Sequence, residues 1–471
     1  MSAAAGAERP WAGRRLHFVG VGGAGMSGYA RAADALGATV TGSDRADSAF
    51  LARLREDRVL DAQIGHEAAN LPVGEGVELV YSSAVPPENP ERVAARERGV
   101  PERPRAELLA ELTALRRTIA VAGAHGKTTT SAMALHALRA CGMDPGWLIG
   151  GSPGSGLANS HWSEGEWLVV EADESDRSML SLDVEIAVLT NVELDHHAEF
   201  ASLAQLREVY RAFLLRARSA IVVWDRPELV ELADASGADR SDMDEAGASG
   251  SGMVAVVPYD LSAPQLQAGG SRFDWRGQQV SLSVPGAHNA LNAVAALEAA
   301  RIAGADPACA VTGLSGFHGA GRRFQRLGTT AAGALVVDDY AHHPTEIAAT
   351  LRAARGELSS DGGRLLAVFQ PHLYSRTERL ARDFGAALAG ADVVAVLDVY
   401  PSRERAEDHP GVSGLMVAEA AAEVVAGREV MWLPSFTDAE PVLRQTLGAG
   451  DICVVMGAGN VDTLARRLVG G

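Results

Sequence analysis

The chain has 471 residues, enough for two or three domains, with an ordinary 47% of hydrophobic and 22% of charged residues. A formal charge of −18 argues against nucleic acid or an anionic membrane as partner, because phosphate surfaces are bound by clustered Lys and Arg. No run approaches the ~18 apolar residues of a spanning helix; the N-terminal MSAAAGAERPWAG lacks the regions of a secretory signal; and the widely spaced Cys141, Cys309 and Cys453 suit reduced core residues, so the expected compartment is the cytoplasm.

Residues 14–21, RRLHFVGV, read as a strand that feeds Gly20-Val21-Gly22-Gly23-Ala24-Gly25 and a helix from about Met26. A second strand ends at Asp44, about 20 residues on, the spacing of a dinucleotide fingerprint. Such a loop lets backbone N–H groups approach any diphosphate, so NAD and a nucleotide sugar both suit it. No hydride-transfer constellation accompanies the motif. Further on, VELVYSSAVP (77–86) leaves Ser82 and Ser83 at a strand's C-terminal edge, where open α/β sheets bind ligands. The alternative is that these hydroxyls only satisfy local backbone. Turns and two helices follow, and the first domain boundary falls at about residue 113.

Residues 116–142 carry the strongest signal. An apolar strand, Thr118 to Ala122, runs into Gly123-Ala124-His125-Gly126, then Lys127-Thr128-Thr129 opens a helix. Strand, glycine loop, Lys-Thr, helix is the order of a triphosphate cradle. Loop amides and the helix N-terminus meet the phosphates, Lys127 supplies a compact charge for the β and γ groups, and the Thr128 hydroxyl suits Mg²⁺. Val121 stands where the first glycine of the standard pattern would be. Lys127 is also the only lysine of the chain, every other basic side chain being arginine. An ammonium at a phosphate site cannot be exchanged for a planar guanidinium without consequence.

After WLIGGSPGSGLANS, expected to be a loop, EWLVVEADESD ends a strand in Glu171, Asp173, Glu174 and Asp176. Glu171 suits a Mg²⁺ ligand, whereas Asp176 reads as a solvated acid. The strand EIAVLTN leads to Asp195-His196-His197, where His196 could serve a second metal, touch the transferring phosphoryl group, or orient a carboxylate. Residues 233–252 lack periodicity and read as a solvent loop. A hairpin over SRFDWRG and QQVSLSVP follows. The helix of PGAHNALNAV then places His288, Asn289 and Asn292 on its first turns, where capping accounts for one asparagine and not for both. Beyond the cationic turn Gly321-Arg322-Arg323, a boundary falls near 328. The remaining strands end in Asp338-Asp339-Tyr340 with His342, and in Gln370 with His372, Tyr374 and Arg376, so a third open parallel sheet is expected.

Taken in order from residue 17 to 460, the motifs HFVGVGGAGMSG, SSAVPPENPE, AGAHGKTTT, EADESD, TNVELDHH, HNALNA, GRRF, DDYAHHPTEI, FQPHLYSRT and GAGN resemble the Mur ligase family of cell-wall synthesis. The resemblance implies an α/β protein of three domains: a Rossmann-like N-terminal UDP-sugar domain (1–112), a central P-loop mononucleotide-binding domain (113–328) and a Rossmann-like C-terminal domain (329–471). It implies that the carboxylate of UDP-N-acetylmuramate takes the γ-phosphoryl group of ATP. The amine of L-alanine then displaces phosphate from the acyl phosphate. Gly22, Gly23, Ala24, Gly25, Met26, Ser27, Asp44, Ser82 and Ser83 would hold the UDP-sugar. Gly123 to Thr129 would hold the ATP phosphates, with His288, Asn289 and Asn292 at adenine and ribose, and with Arg322, Asp338 and His342 beyond them. Thr128, Glu171 and His196 would be metal ligands, and Lys127, Glu171, His196, His372 and Arg376 catalytic.

Two positions depart from the family pattern. Leu373 stands where an arginine is frequent, leaving Arg376 as the main cation there. With Lys127 the sole lysine, no carbamylated lysine can bridge a second metal. Ligation of a preformed peptide to the same sugar nucleotide, and an NAD-linked regulatory protein, are the alternative readings.

Overall fold

The computed structural model describes residues 9–195, 199–235, 254–359, 362–424 and 427–470. The expectations for His196 and for residues 236–252 fall outside the described residues. The chain divides into two compact units: Met1–Glu193, Ala204–Asp260 and Ala293–Gly313 form one; Leu194–Leu203, Leu261–Asn292 and Leu314–Gly471 form the other.

The first unit holds two sheets. One has five parallel strands in the order Gln63–Ile64, Thr39–Asp44, Arg15–Val19, Val77–Tyr81, Glu102–Pro104. Arg15–Val19 lies at its centre, so the Gly20–Gly25 turn leaves the C-terminal end of the central strand, the usual ligand edge of such sheets. The helix after it begins at Ala24, two residues before the expected start. The other sheet has seven strands, with Arg117–Ala122 between Val184–Leu189 and Trp167–Glu171, all parallel. Strands of that middle group are buried on both faces, as their unbroken apolar runs require. Two expected loops change character. Trp147 and Leu148 lie in the strand Gly146–Leu148, and Ser160 pairs antiparallel to it, so the expected loop there is partly strand. The helix Pro227–Asp234 extends past the expected loop start at 233.

The second unit contains a three-stranded antiparallel sheet and a six-stranded sheet ordered Gln325–Thr329, Leu335–Asp339, Ile452–Met456, Leu365–Phe369, Val393–Val396, Glu429–Trp432. The larger sheet is parallel except for its first strand, which runs antiparallel at the edge. Alternate residues of its strands serve two separate cores. Val337, Ala367, Phe369, Val394 and Val454 pack on Ile347, Leu351, Phe384 and Val417. Val336, Leu366, Val368, Cys453 and Val455 pack on Leu443, Leu464 and Leu468. Period-two alternation between two helix layers makes the inner strands Leu365–Phe369, Val393–Val396 and Ile452–Met456 apolar throughout. The expected hairpin is present, closed at Trp275 and Gln278 by Arg276 and Gly277, both at positive φ, which gives the turn the twist of its strands.

Only Cys453 is a core cysteine. Cys141 is half-buried and Cys309 exposed, a correction to the expectation for both.

Candidate active site

The triphosphate loop leaves the end of Arg117–Ala122 and enters the helix Lys127–Ala140 through Gly126, whose φ of +83° is the left-handed region that glycine adopts without a Cβ penalty. Gly123 has φ +137°, and a Cβ there would lie 2.1 Å from Thr190 Oγ1. The loop therefore wraps closely on the next strand end. Thr190 Oγ1 donates to the His125 carbonyl at 2.6 Å, Asn191 Nδ2 donates to the same oxygen at 2.9 Å, and the His125 amide donates to Asn191 Oδ1 at 2.9 Å. The His125 ring meets Glu193 at 2.9 Å.

Lys127 turns its ammonium inward. Nζ donates to Gly123 O at 2.7 Å and to Glu174 Oε2 at 2.9 Å, and Glu174 is buried. Burial on its own would lower the lysine pKa; the carboxylates of Glu174, Asp173 and Glu171 outweigh it and hold the ammonium firmly charged. Burial raises Glu174 in turn, partly offset by Lys127. An ammonium among loop carbonyls and a carboxylate is poised to exchange the latter for phosphate oxygens.

One residue along, the Thr128 hydroxyl sits 3.0 Å from both oxygens of Glu171, and the Gly150 amide donates to Glu171 Oε2 at 2.7 Å. A hydroxyl and a carboxylate converging at a helix N-terminus are hard oxygen donors of the kind Mg²⁺ takes while keeping most of its waters. These residues fit that ion.

Around the N-terminal glycine loop, the Gly22 amide donates to Asp44 Oδ2 at 2.7 Å, and a Cβ on Gly22 would come 2.9 Å from the same oxygen. Ser48 Oγ donates to Gly22 O at 2.9 Å. The helix Ala24–Ala35 has Gly23 as N-cap with no side-chain cap, which leaves its first amides available. Met26 and Ser27 are buried beneath, with Asn159 Nδ2 donating to Ala24 O at 2.6 Å. Ser82 lies against Gly20, and Ser83 is exposed. Arg105, which carries no motif, places Nη1 3.1 Å from where a Gly25 Cβ would stand, and Nε donates to Asp176 at 2.5 Å. Asp176 is thus a half-buried partner of Arg105, held below the usual carboxylate range by that pairing against the opposing effect of burial. The solvated reading of Asp176 is corrected.

In the second unit, Arg322 Nε donates to Asp338 at 3.2 Å, while Nη1 and Nη2 reach the carbonyls of Gly459 at 2.9 Å and Gly457 at 2.7 Å. Burial pushes Asp338 up to about 6, and its Oδ1 has no hydrogen-bond partner among the described residues. The His342 amide donates to Glu346 Oε2 at 3.0 Å. The His372 ring stacks on Tyr400 at 5.7 Å and stands edge-on to His342 at 6.2 Å. Burial, then His342, Arg376 and Arg403, push its imidazole down to about 3. Arg376 is buried and donates to Asp195 at 2.6 Å. Three buried atoms here, His372 Nδ1, Arg376 Nη1 and Gln370 Oε1, have no hydrogen-bond partner among the described residues. Buried polar atoms without partners are costly, so their clustering marks a place built for a polar ligand. Leu373 is buried at φ +69° as N-cap of Tyr374–Leu388, with its amide on Tyr400 O at 3.0 Å. Asn289 donates to Pro285 O at 2.7 Å, a local bond, and Asn292 follows one turn on. The half-buried His288 is pushed down to about 4, chiefly by burial.

The structure thus brings Lys127, Thr128 and Glu171 together, and likewise His342, His372 and Arg376. Glu174 and Asp195 stood in the sequence motifs without a role, and Thr190, Asn191, Arg105 and Tyr400 were passed over. All but Arg105 and Tyr400 lie inside motifs already singled out.

Comparison with known proteins gives consistent matches along the chain. The model for the Mur ligase family, catalytic domain, matches residues 15–117. The Mur ligase middle domain matches 121–300, and the Mur ligase, glutamate ligase domain, matches 322–459. A UDP-N-acetylmuramate–L-alanine ligase of Mycobacterium sp. (strain JLS) is 42% identical over 97% of this chain and 94% of its own length. One of Rubrobacter xylanophilus is 41% identical over 97% of this chain and 99% of its own. Among solved structures, a UDP-N-acetylmuramate-alanine ligase of Thermotoga maritima matches with TM-score 0.79 and 26% identity, covering 96% of this chain and 98% of that one. A murein peptide ligase of Psychrobacter arcticus shares the fold, with TM-score 0.70 and 23% identity over 97% of this chain and 98% of that one.

Proposed function

The chain belongs to the Mur ligase family, and we propose from that premise that it joins L-alanine to UDP-N-acetylmuramate with cleavage of ATP, in peptidoglycan precursor synthesis. The three-domain division at about 112 and 328 and a cytoplasmic location belong to the same reading; among the described residues no helix is long and apolar enough to cross a membrane.

The observation that carries the reading is the Lys127 ammonium seated in its loop, next to the Thr128–Glu171 pair. A free carboxylate is a poor acyl donor, and transfer of a phosphoryl group to it creates a good leaving group. In this proposal Gly123 to Thr129 hold the phosphate chain by their amides. Lys127 leaves Glu174 for the β and γ oxygens and neutralises charge as the muramoyl carboxylate attacks. Mg²⁺, held by Thr128 and Glu171, would add further neutralisation of the phosphate oxygens. The Gly22–Ser27 turn, with Asp44 and Arg105, holds the uridine diphosphate. Arg376 and the neutral His372 receive the amino acid, and the amine displaces phosphate from the acyl phosphate. The enzyme mainly positions groups and balances charge.

The test is ADP release with each substrate omitted in turn. Release should require both UDP-N-acetylmuramate and L-alanine, and Lys127→Arg should lower turnover by at least ~10³-fold with the circular dichroism spectrum unchanged. Release indifferent to the sugar nucleotide would overturn the assignment.

A further inference from the structure

Two thiols that the ligation does not use lie side by side in the first unit. Cys141 closes the helix Lys127–Ala140, and Cys309 stands in the first turn of the helix Pro307–Ser315. Both rest on Asp306: Cys141 Sγ donates to its carbonyl at 3.6 Å, and the Cys309 amide donates to its Oδ1 at 3.0 Å. Burial and the neighbouring Cys309 thiol push the Cys141 thiol up to about 11. The two helices cannot drift apart easily, because they meet where there is no side chain; a Cβ on Gly313 would lie 2.6 Å from His136 O and 2.8 Å from Ala140 Cβ. Cys309 is exposed and Cys141 half-buried behind it. An accessible sulfur at a helix N-terminus with a second sulfur held on the same aspartate is the arrangement of an attacking and a resolving thiol.

We propose that Cys141 and Cys309 are a reversible oxidation site, closed to a disulfide by peroxides. The Cys309 thiolate attacks a peroxide oxygen, the O–O bond breaks, and a sulfenic acid and hydroxide form. Cys141 then attacks that sulfur, the S–O bond breaks, and water leaves with the Cys141 proton. The two sulfurs lose two electrons in all, one peroxide becomes two waters, and a small dithiol returns both electrons on reduction. The bond would tie the C-terminal end of the phosphate-loop helix to a helix far along the chain, which restricts the unfolded ensemble and raises the melting temperature. None of this depends on the ligase reading.

The experiment treats the full-length protein with hydrogen peroxide, blocks remaining thiols by alkylation, and maps tryptic peptides by mass spectrometry without reduction. The expected result is a cross-link between the peptides beginning at Ala140 and Ile302, with the denatured thiol titre falling from three to one and returning to three with dithiothreitol. The melting temperature should rise on oxidation of the wild type and not of Cys141→Ser. A Cys309 sulfinic acid beside a free Cys141, a disulfide between two chains through Cys309, or three persisting thiols would each overturn the proposal.

Discussion

Lys127 and His372 show opposite answers to the same problem, a titratable group taken out of water. Lys127 keeps its charge because Glu174 stands 2.9 Å away, whereas His372 is buried beside the guanidinium groups of Arg376 and Arg403 and is neutral. The imidazole is pushed down to about 3 in the folded chain, against 6.5 for the ordinary group. Between those values the unfolded chain binds a proton that the folded chain does not. Stability from this residue is therefore full above about pH 6.5 and declines as pH falls, with on the order of 2 kcal/mol lost by pH 5. The urea midpoint of the second unit should accordingly drop less between pH 7 and pH 5 in His372→Gln than in the wild type. An equal drop in both proteins would show that the imidazole does not carry this term.

At the scale of elements, the phosphate loop is held from outside as much as by its own glycines. The strand end at Thr190 and Asn191 binds the His125 carbonyl, and Gly123 leaves no room for a methyl group beside Thr190. Gly123→Ala must move one of the two strand ends and is also strained at its positive φ. We expect the KM for ATP to rise by about tenfold or more and the thermal midpoint to fall, since misplaced amides lose phosphate contacts and the strand end is displaced; steady-state kinetics at varied ATP would check this, and an unaltered KM would count against a phosphate role for the loop. The loop itself was legible from its strand–glycine–Lys–Thr–helix order. Its clamp was not, because Thr190 lies over sixty residues on, and only the register of Val184–Leu189 beside Arg117–Ala122 brings them together. Asp176 failed as a sequence reading for the same reason: its partner Arg105 belongs to a helix whose sequence carries no motif.

For the whole molecule, the choice between a dinucleotide and a UDP-sugar is decided by ligand binding to the first glycine loop. UDP-N-acetylmuramate at 100 times its dissociation constant should stabilise the first unit by about 2.7 kcal/mol. NAD at the same concentration should leave its thermal midpoint where it was; scanning calorimetry with each ligand separates them, and stabilisation by NAD alone would favour the regulatory reading. The α/β class, the glycine loops, the single lysine and the ordered motifs were all determined by sequence alone, because phosphate cradles and doubly buried parallel strands are written in local spacing and unbroken apolar runs. Tertiary structure alone decided that Glu174 holds Lys127, that Arg105 overhangs Gly25, that Tyr400 stacks on His372 and that Cys141 reaches Asp306 beside Cys309. Each of those contacts joins chain segments that only sheet order and helix packing make neighbours, and no local pattern in a sequence records which distant strand end will lie alongside.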